Sequence, residues 1–236
     1  MPNVTVMFAN TKGGVGKSTL AYLTAIFLAA TERARIVAAD LDPQKSMFNA
    51  LLRFQSEALH AEDWSESFAG VPIERGRLRN AVNEAKVSSD ILLIDTPAGF
   101  AATELFTFMR PDIIVVPVTA SDADIFTTKK YLDDMTHTLG EMAAEVGGVM
   151  PQILVIPNQV YDADCVSRVR DSLRGLRVQI GRPLPHALEF REIFRYTRGD
   201  TNVGRVVRRE SKFFNWLGER IMGRLQSNSL ETEGRR

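Results

Sequence analysis

Two lysines share one short glycine-rich turn, Thr11-Lys12-Gly13-Gly14-Val15-Gly16-Lys17-Ser18-Thr19. The turn approximates G-x-x-x-x-G-K-[ST], in which backbone N–H groups cradle phosphate oxygens, the lysine neutralises the outer phosphates and the hydroxyl ligates Mg²⁺. Glycines 13, 14 and 16, with Val15 between them, let the amides point inward. Lys17 is then the phosphate lysine and Ser18 the metal ligand. Thr11 stands where the pattern's first glycine should be, and Lys12 is a second cation in a loop that needs one. A like charge buried beside a phosphate site is costly unless something uses it.

Two acidic motifs follow, Asp40-Leu41-Asp42-Pro43-Gln44 and Ile91-Leu92-Leu93-Ile94-Asp95-Thr96-Pro97. An aspartate that ends an apolar strand next to such a loop can hold a water of the metal's shell, a role that Asp95 fits. Positioning these groups needs strands that end together. Val4–Ala9, Ile36–Ala39, Ile91–Ile94, Ile113–Val118 and Ile153–Ile156 are continuously apolar, as strands covered on both faces are. Helical periodicity fills the intervals at Lys17–Ala30, Ser46–Glu57, Arg75–Lys86, Thr103–Met109, Asp124–Met142 and Ala163–Leu176. This alternation predicts an α/β fold: a doubly wound, mostly parallel sheet with helices on both faces and its ligand at the carboxyl ends of the strands. Ser56–Gly76, with Glu57, Glu62, Asp63 and Glu66, reads as an irregular solvated excursion. The expected organisation is a single domain over residues 1–226 and a polar, mobile tail over 227–236.

The three motifs, in this order and spacing, resemble those of the ParA/MinD family of deviant Walker ATPases, and the resemblance covers about residues 3 to 225. It implies a slow, partner-stimulated ATP hydrolase that uses Mg²⁺ and forms a homodimer with two ATP molecules sandwiched between subunits. Lys12 then takes the signature-lysine role, reaching the partner's phosphates, and Thr19 touches the α-phosphate. Asp42 orients the attacking water and, with Ser18 and Asp95, lies on the metal side, while Asp40 stands beside it in the first switch. Asn158, after the fifth strand, either meets the adenine base, as in relatives similar to MinD, or caps the helix from Ala163. The physical logic of a lysine supplied across a dimer is that of an arginine finger, positive charge aimed at a phosphoryl transition state.

The net charge of zero conceals a split, because residues 164–236 carry 16 Lys+Arg against 9 Asp+Glu. At roughly 100° per residue, Arg205, Arg208, Arg209, Lys212 and Arg220 share one helical arc opposite an apolar side, and Arg191, Arg195 and Arg198 lie just upstream. Three readings stand for this face: a solvated surface, sequence-indifferent DNA binding as in ParA-type relatives, or membrane attachment as in MinD-like spatial regulators, with Trp216 in favour of the last. The sequence favours DNA, with a ParB-like activator as the further partner and the membrane as the alternative. A single cysteine, Cys165, excludes an intramolecular disulfide framework and the paired cluster cysteines of an iron–sulfur reductase. The tyrosines form no C-terminal cluster of the kind a regulatory kinase on this loop would carry. With no basic leader and no long apolar segment, the expected location is the cytoplasm, on the nucleoid. The absence of a residue block before the loop suggests the short ParA type without an operator-binding domain. The cargo stays open.

Overall fold

The computed structural model describes residues 3–32, 34–54, 56–66, 72–99, 109–146, 149–187, 189–190, 193–194 and 201–234. Seven strands form one sheet: β1 (Val4–Phe8), β2 (Ile36–Asp40), β3 (Leu59–Asp63), β4 (Ile91–Asp95), β5 (Ile113–Val118), β6 (Gln152–Pro157) and β7 (Gln179–Ile180). Their order is β3-β2-β4-β1-β5-β6-β7 and every neighbouring pair is parallel. Helices α1 (Lys17–Thr31), α2 (Ser46–Leu51), α3 (Pro72–Ser88), α4 (Asp122–Val146), α5 (Ala163–Ser172), α6 (Thr201–Arg209) and α7 (Ser211–Glu233) complete the elements used below.

Apolar residues on every turn of the pleat bury both faces of the central strands. One face, with Val6, Phe8 and Leu93, packs under α1, α2, α6 and α7. The other, with Met7, Leu92 and Ile114, packs under α3, α4 and α5. Helix α7 comes so close to α1 that a Cβ on Gly218 would lie 2.9 Å from the Phe27 ring, and Phe27 and Phe214 stack with centroids 5.8 Å apart. Because β1 has β4 on one side and β5 on the other, the chain reverses direction across the sheet at β1, and the residues after β1, β2 and β4 converge at one edge. Among the described residues no helix is long and apolar enough to cross a membrane.

The doubly wound parallel architecture is as the sequence predicts, and four details differ. The supposed excursion contains β3, a polar edge strand paired only with β2, where alternating and solvated side chains hide the strand from a test for continuous apolarity. Helix α2 stops at Leu51, short of Glu57. The basic helix is two helices that break at Glu210, whose φ of −95° and ψ of 24° leave the helical region, so a single arc does not run through it. The segment expected as a free tail continues α7 to Glu233, with the Asn228 amide donating to the Asn3 carbonyl at 2.8 Å and to Asp112 at 3.1 Å. Residues 103–108 of the helix expected at Thr103–Met109 lie outside the described residues.

Candidate functional site

The glycine-rich turn lies between β1 and α1, and three buttresses fix its path. Buried Asn10 donates to the Pro117 carbonyl at 2.9 Å and the Thr128 hydroxyl at 3.0 Å, and its own carbonyl oxygen accepts the Lys12 N–H at 3.0 Å. On the far side the Asn158 amide donates to the Val15 carbonyl at 2.8 Å, and the Gln159 amide to the Gly14 carbonyl at 3.1 Å. With those carbonyls engaged outside, the loop keeps its amides for an anion at the N-terminus of α1. Glycine is required at position 16, where φ is 98° and an added Cβ would meet the Asn158 amide nitrogen at 2.4 Å. Asn158 therefore holds the loop. The alternative capping role belongs to Asp162, whose carboxylate accepts the Cys165 N–H at 2.9 Å.

The two lysines diverge. Lys17 is buried, donates to the Lys12 carbonyl at 3.1 Å and lines the cavity. Burial pulls its pKa below the ordinary lysine value, while Asp95 and Asp42 oppose that and favour the charged form. Lys12 does not line the cavity, and its ammonium pairs instead with Asp124 in the first turn of α4, at 3.2 Å. Burial raises the Asp124 pKa, but hydrogen bonds from Thr119, Lys12 and Ser121 outweigh it and leave the carboxyl below its ordinary value.

The carboxylates divide into a scaffold, a free acid and a rim. Asp40, fully buried, spends one oxygen on the Asp42 N–H at 2.9 Å and the other on the Phe48 N–H at 3.0 Å, so it holds the first switch and does not line the cavity. That corrects the expectation that Asp40 acts on substrate: both its oxygens are occupied by backbone. Asp95 is also fully buried, yet neither oxygen accepts a hydrogen bond. Burial drives its pKa well above the ordinary carboxylate value and Asp40 pushes the same way, while the nearby Ser18 hydroxyl and Lys17 resist. A buried, unpartnered carboxylate is costly unless a cation uses it. Beside the Ser18 hydroxyl it supplies the hard oxygen donors that Mg²⁺ prefers, and the donor set fits that ion. Asp42, half-buried on the cavity wall, accepts the Gln44 N–H at 2.9 Å.

A cavity of about 410 Å³ joins these groups, with Gly13, Gly14, Gly16, Lys17, Ser18 and Thr19 as its floor. Its opposite wall, formed by Asn158, Gln159, His186, Ala187, Phe190 and Phe194, was not singled out from the sequence. A histidine four residues before a phenylalanine just past β7 was the available signal. Planar and apolar side chains of this kind suit a base.

Away from the cavity, Arg205, Arg208 and Lys212 are exposed and make no ion pair among the described residues. Arg209 is tied to Glu189 and Glu210, each at 2.8 Å, so it is not a free cation. The Arg220 guanidinium lies over the Trp216 ring at 4.8 Å, and Trp216 is half-buried against Gly181, where a Cβ would meet it at 2.5 Å. Arg191, Arg195 and Arg198 lie outside the described residues.

Comparison with known proteins agrees with this site. The family model for the CobQ/CobB/MinD/ParA nucleotide binding domain matches residues 6–199. The virulence plasmid ParA family protein pGP5-D of Chlamydia psittaci is 24% identical over 167 residues, which are 58% of this chain and 64% of that protein. The chain thus spans just under two thirds of that relative's length. Among solved structures, apo McdA of Cyanothece superposes with a TM-score of 0.67 at 16% identity, covering 92% of this chain and 98% of that one. MinD in the MinC:MinD cell division protein complex of Aquifex aeolicus gives 0.64 at 16% identity, covering 93% and 96%. With the family model matching more than half of its length, the chain belongs to the CobQ/CobB/MinD/ParA nucleotide-binding family.

Proposed function

We propose that this chain is a ParA-type ATP hydrolase that binds ATP and Mg²⁺ and pairs face to face with a second copy around two nucleotides. In that state it holds DNA without sequence preference, and hydrolysis stimulated by a ParB-like partner positions or segregates a cargo on the cytoplasmic nucleoid. The observation that carries the reading is the divergence of the two lysines. Lys17 serves the cavity of its own subunit, whereas Lys12 sits at the rim on Asp124 with an exposed side chain, available to a neighbour.

The metal, when bound, neutralises charge that develops on the phosphate oxygens. Ser18 and Asp95 would hold it, and Lys17 with the loop amides would hold the β/γ oxygens in place. Thr19 lies one residue further into α1, where it suits the α-phosphate. Asp42 keeps one oxygen on the Gln44 amide and the other free of any hydrogen bond among the described residues, so it can accept from and orient a water. DNA binding draws support from the exposed Arg205, Arg208 and Lys212 on the face opposite the packed side of α6 and α7. Dimerisation doubles that patch and raises its avidity. Membrane attachment loses its support, because Trp216 and the apolar side of α7 are spent on packing.

Light scattering with ATP and with ADP tests the dimer: wild type should double its mass with ATP alone, and Lys12→Ala should bind ATP yet remain a monomer. A Lys12→Ala chain that dimerises and hydrolyses like wild type would sink the cross-subunit role. Co-sedimentation with DNA and with anionic liposomes separates the partner classes, and binding to liposomes alone would overturn the DNA reading.

A further inference from the structure

Lys45 is one of three non-glycine residues among those described that carry a positive φ, here 52° with ψ of 36°. An L side chain takes that left-handed conformation at a cost that glycine avoids. Something must therefore hold a lysine there. Its ammonium lies 2.6 Å from Asp63, at the carboxyl end of β3, and both side chains are about two thirds or more buried. Asp63 is itself fixed: its other oxygen accepts the Ser65 N–H at 3.0 Å and the Ser65 hydroxyl at 2.7 Å. It pairs in register with Asp40, and the next residue, buried Trp64, donates its N–H to the Asp40 carbonyl at 2.9 Å.

Lys45 also closes the loop that bears Asp42. The Lys45 N–H donates to the Asp42 carbonyl at 2.8 Å, while the Asp42 N–H donates to Asp40. Asp42 is thus held at its N–H from the end of β2 and at its carbonyl from Lys45. The far end of Lys45 is held by β3. We propose that Lys45 and Asp63 form a clamp that positions Asp42, so that the polar edge strand β3 sets the geometry of the water-orienting carboxylate. Lys45 and Asp63 are positioning residues and touch no substrate. The clamp rests on the proposed ATP hydrolysis only for its kinetic readout.

Four single variants and one double test it: Lys45→Met, Lys45→Gly, Lys45→Arg, Asp63→Asn and Lys45→Met with Asp63→Asn. Lys45→Met and Asp63→Asn should each lower kcat for ATP roughly three- to fivefold, with KM within about twofold, and the double variant should be no worse than either. Lys45→Arg should keep most of the activity. Lys45→Gly is the decisive one, since glycine relieves the backbone cost and should melt no lower than wild type, yet lacks the ammonium and should show the same fall in kcat. Hydrogen exchange on the nucleotide-free protein gives a readout independent of turnover: the Asp42 and Lys45 amides should exchange faster in the Met, Gly and Asn variants. Unchanged kcat and exchange in Lys45→Gly would overturn the clamp. So would a loss of melting temperature shared by all variants with kcat untouched, which would make the pair merely stabilising. If the wild-type chain hydrolyses no ATP, the proposed function fails, and the exchange rates still decide whether the clamp exists.

Discussion

The molecule carries two clusters of positive charge and treats them in opposite ways. In the phosphate loop each lysine has a fixed partner: Lys17 lies buried on the Lys12 carbonyl beside Asp95, and Lys12 lies on Asp124. On α6 and the start of α7, Arg205, Arg208 and Lys212 stand in solvent with no ion pair among the described residues. The first arrangement presets geometry for one small, highly charged ligand, and reorganisation cost is low because the dipoles are already aimed. The second presets nothing but charge, which suits a polyanion read through its backbone at many equivalent registers. Precision and promiscuity are thus written in the partners of the cations, since both clusters have similar composition.

The largest break in this comparison should come from disturbing the preset loop without touching a charge. Gly16→Ala places a methyl group 2.4 Å from the Asn158 amide nitrogen at a φ of 98°. The left-handed conformation costs about 1–2 kcal/mol, and displacing Asn158 leaves the Val15 carbonyl without its buried donor, for about 1–3 kcal/mol more. The thermal midpoint should drop by roughly 5–15 °C, and titration with ATP should show binding lost even though Lys17 is intact. Wild-type affinity for ATP in Gly16→Ala would show that the loop is not preset.

How much of this was legible in the sequence follows the same divide. Glycine spacing, the two strand-ending aspartates and the doubly apolar strands are local signals, and they suffice to locate Lys17, Ser18, Asp42 and Asp95 at one edge of the sheet. What they miss depends on strand order. Asn158 meets Val15 across 143 positions of chain, and Asp124 reaches Lys12 only because β5, which leads into α4, lies beside β1. The edge strand β3 escaped because its side chains face water, and Asp40 was misjudged as reactive because a motif does not reveal that both oxygens cap backbone amides. The break at Glu210 carries no proline or glycine to announce it, so the 3.6-residue pattern reads through it.

The unset cluster should respond in proportion to charge. Changing Arg205, Arg208 and Lys212 together to Glu should abolish co-sedimentation with DNA at moderate salt and flatten the dependence of log affinity on log salt by about 3–5 in a dimer, at close to one unit per lost phosphate contact. Unstimulated ATP hydrolysis should stay within about twofold, because none of the three lines the cavity. Equal DNA affinity in wild type and the triple variant would leave the face as plain solvated surface. A large fall in ATP hydrolysis would show instead that the two clusters are not separate.

Arg209 offers the finest test, because it belongs by position to the second cluster and by its bonding to the first. Its guanidinium is neutralised by Glu189 and Glu210 and lies 5.9 Å from the centre of the Phe190 ring, which lines the nucleotide cavity. A cation already paired releases no counterion when DNA approaches, so Arg209→Ala should change the salt slope by less than about one unit. Removing it loosens the Glu189–Phe190 segment instead, and a pair this exposed contributes at most about 1 kcal/mol. The expected outcome is therefore a loss of about two- to fivefold in ATP affinity with DNA binding by the ATP-saturated protein unchanged. The opposite pattern, weakened DNA binding at constant ATP affinity, would mean that Arg209 leaves its carboxylate partners for phosphate. The contrast between preset and unset cations would then fail at the point where the two regions meet.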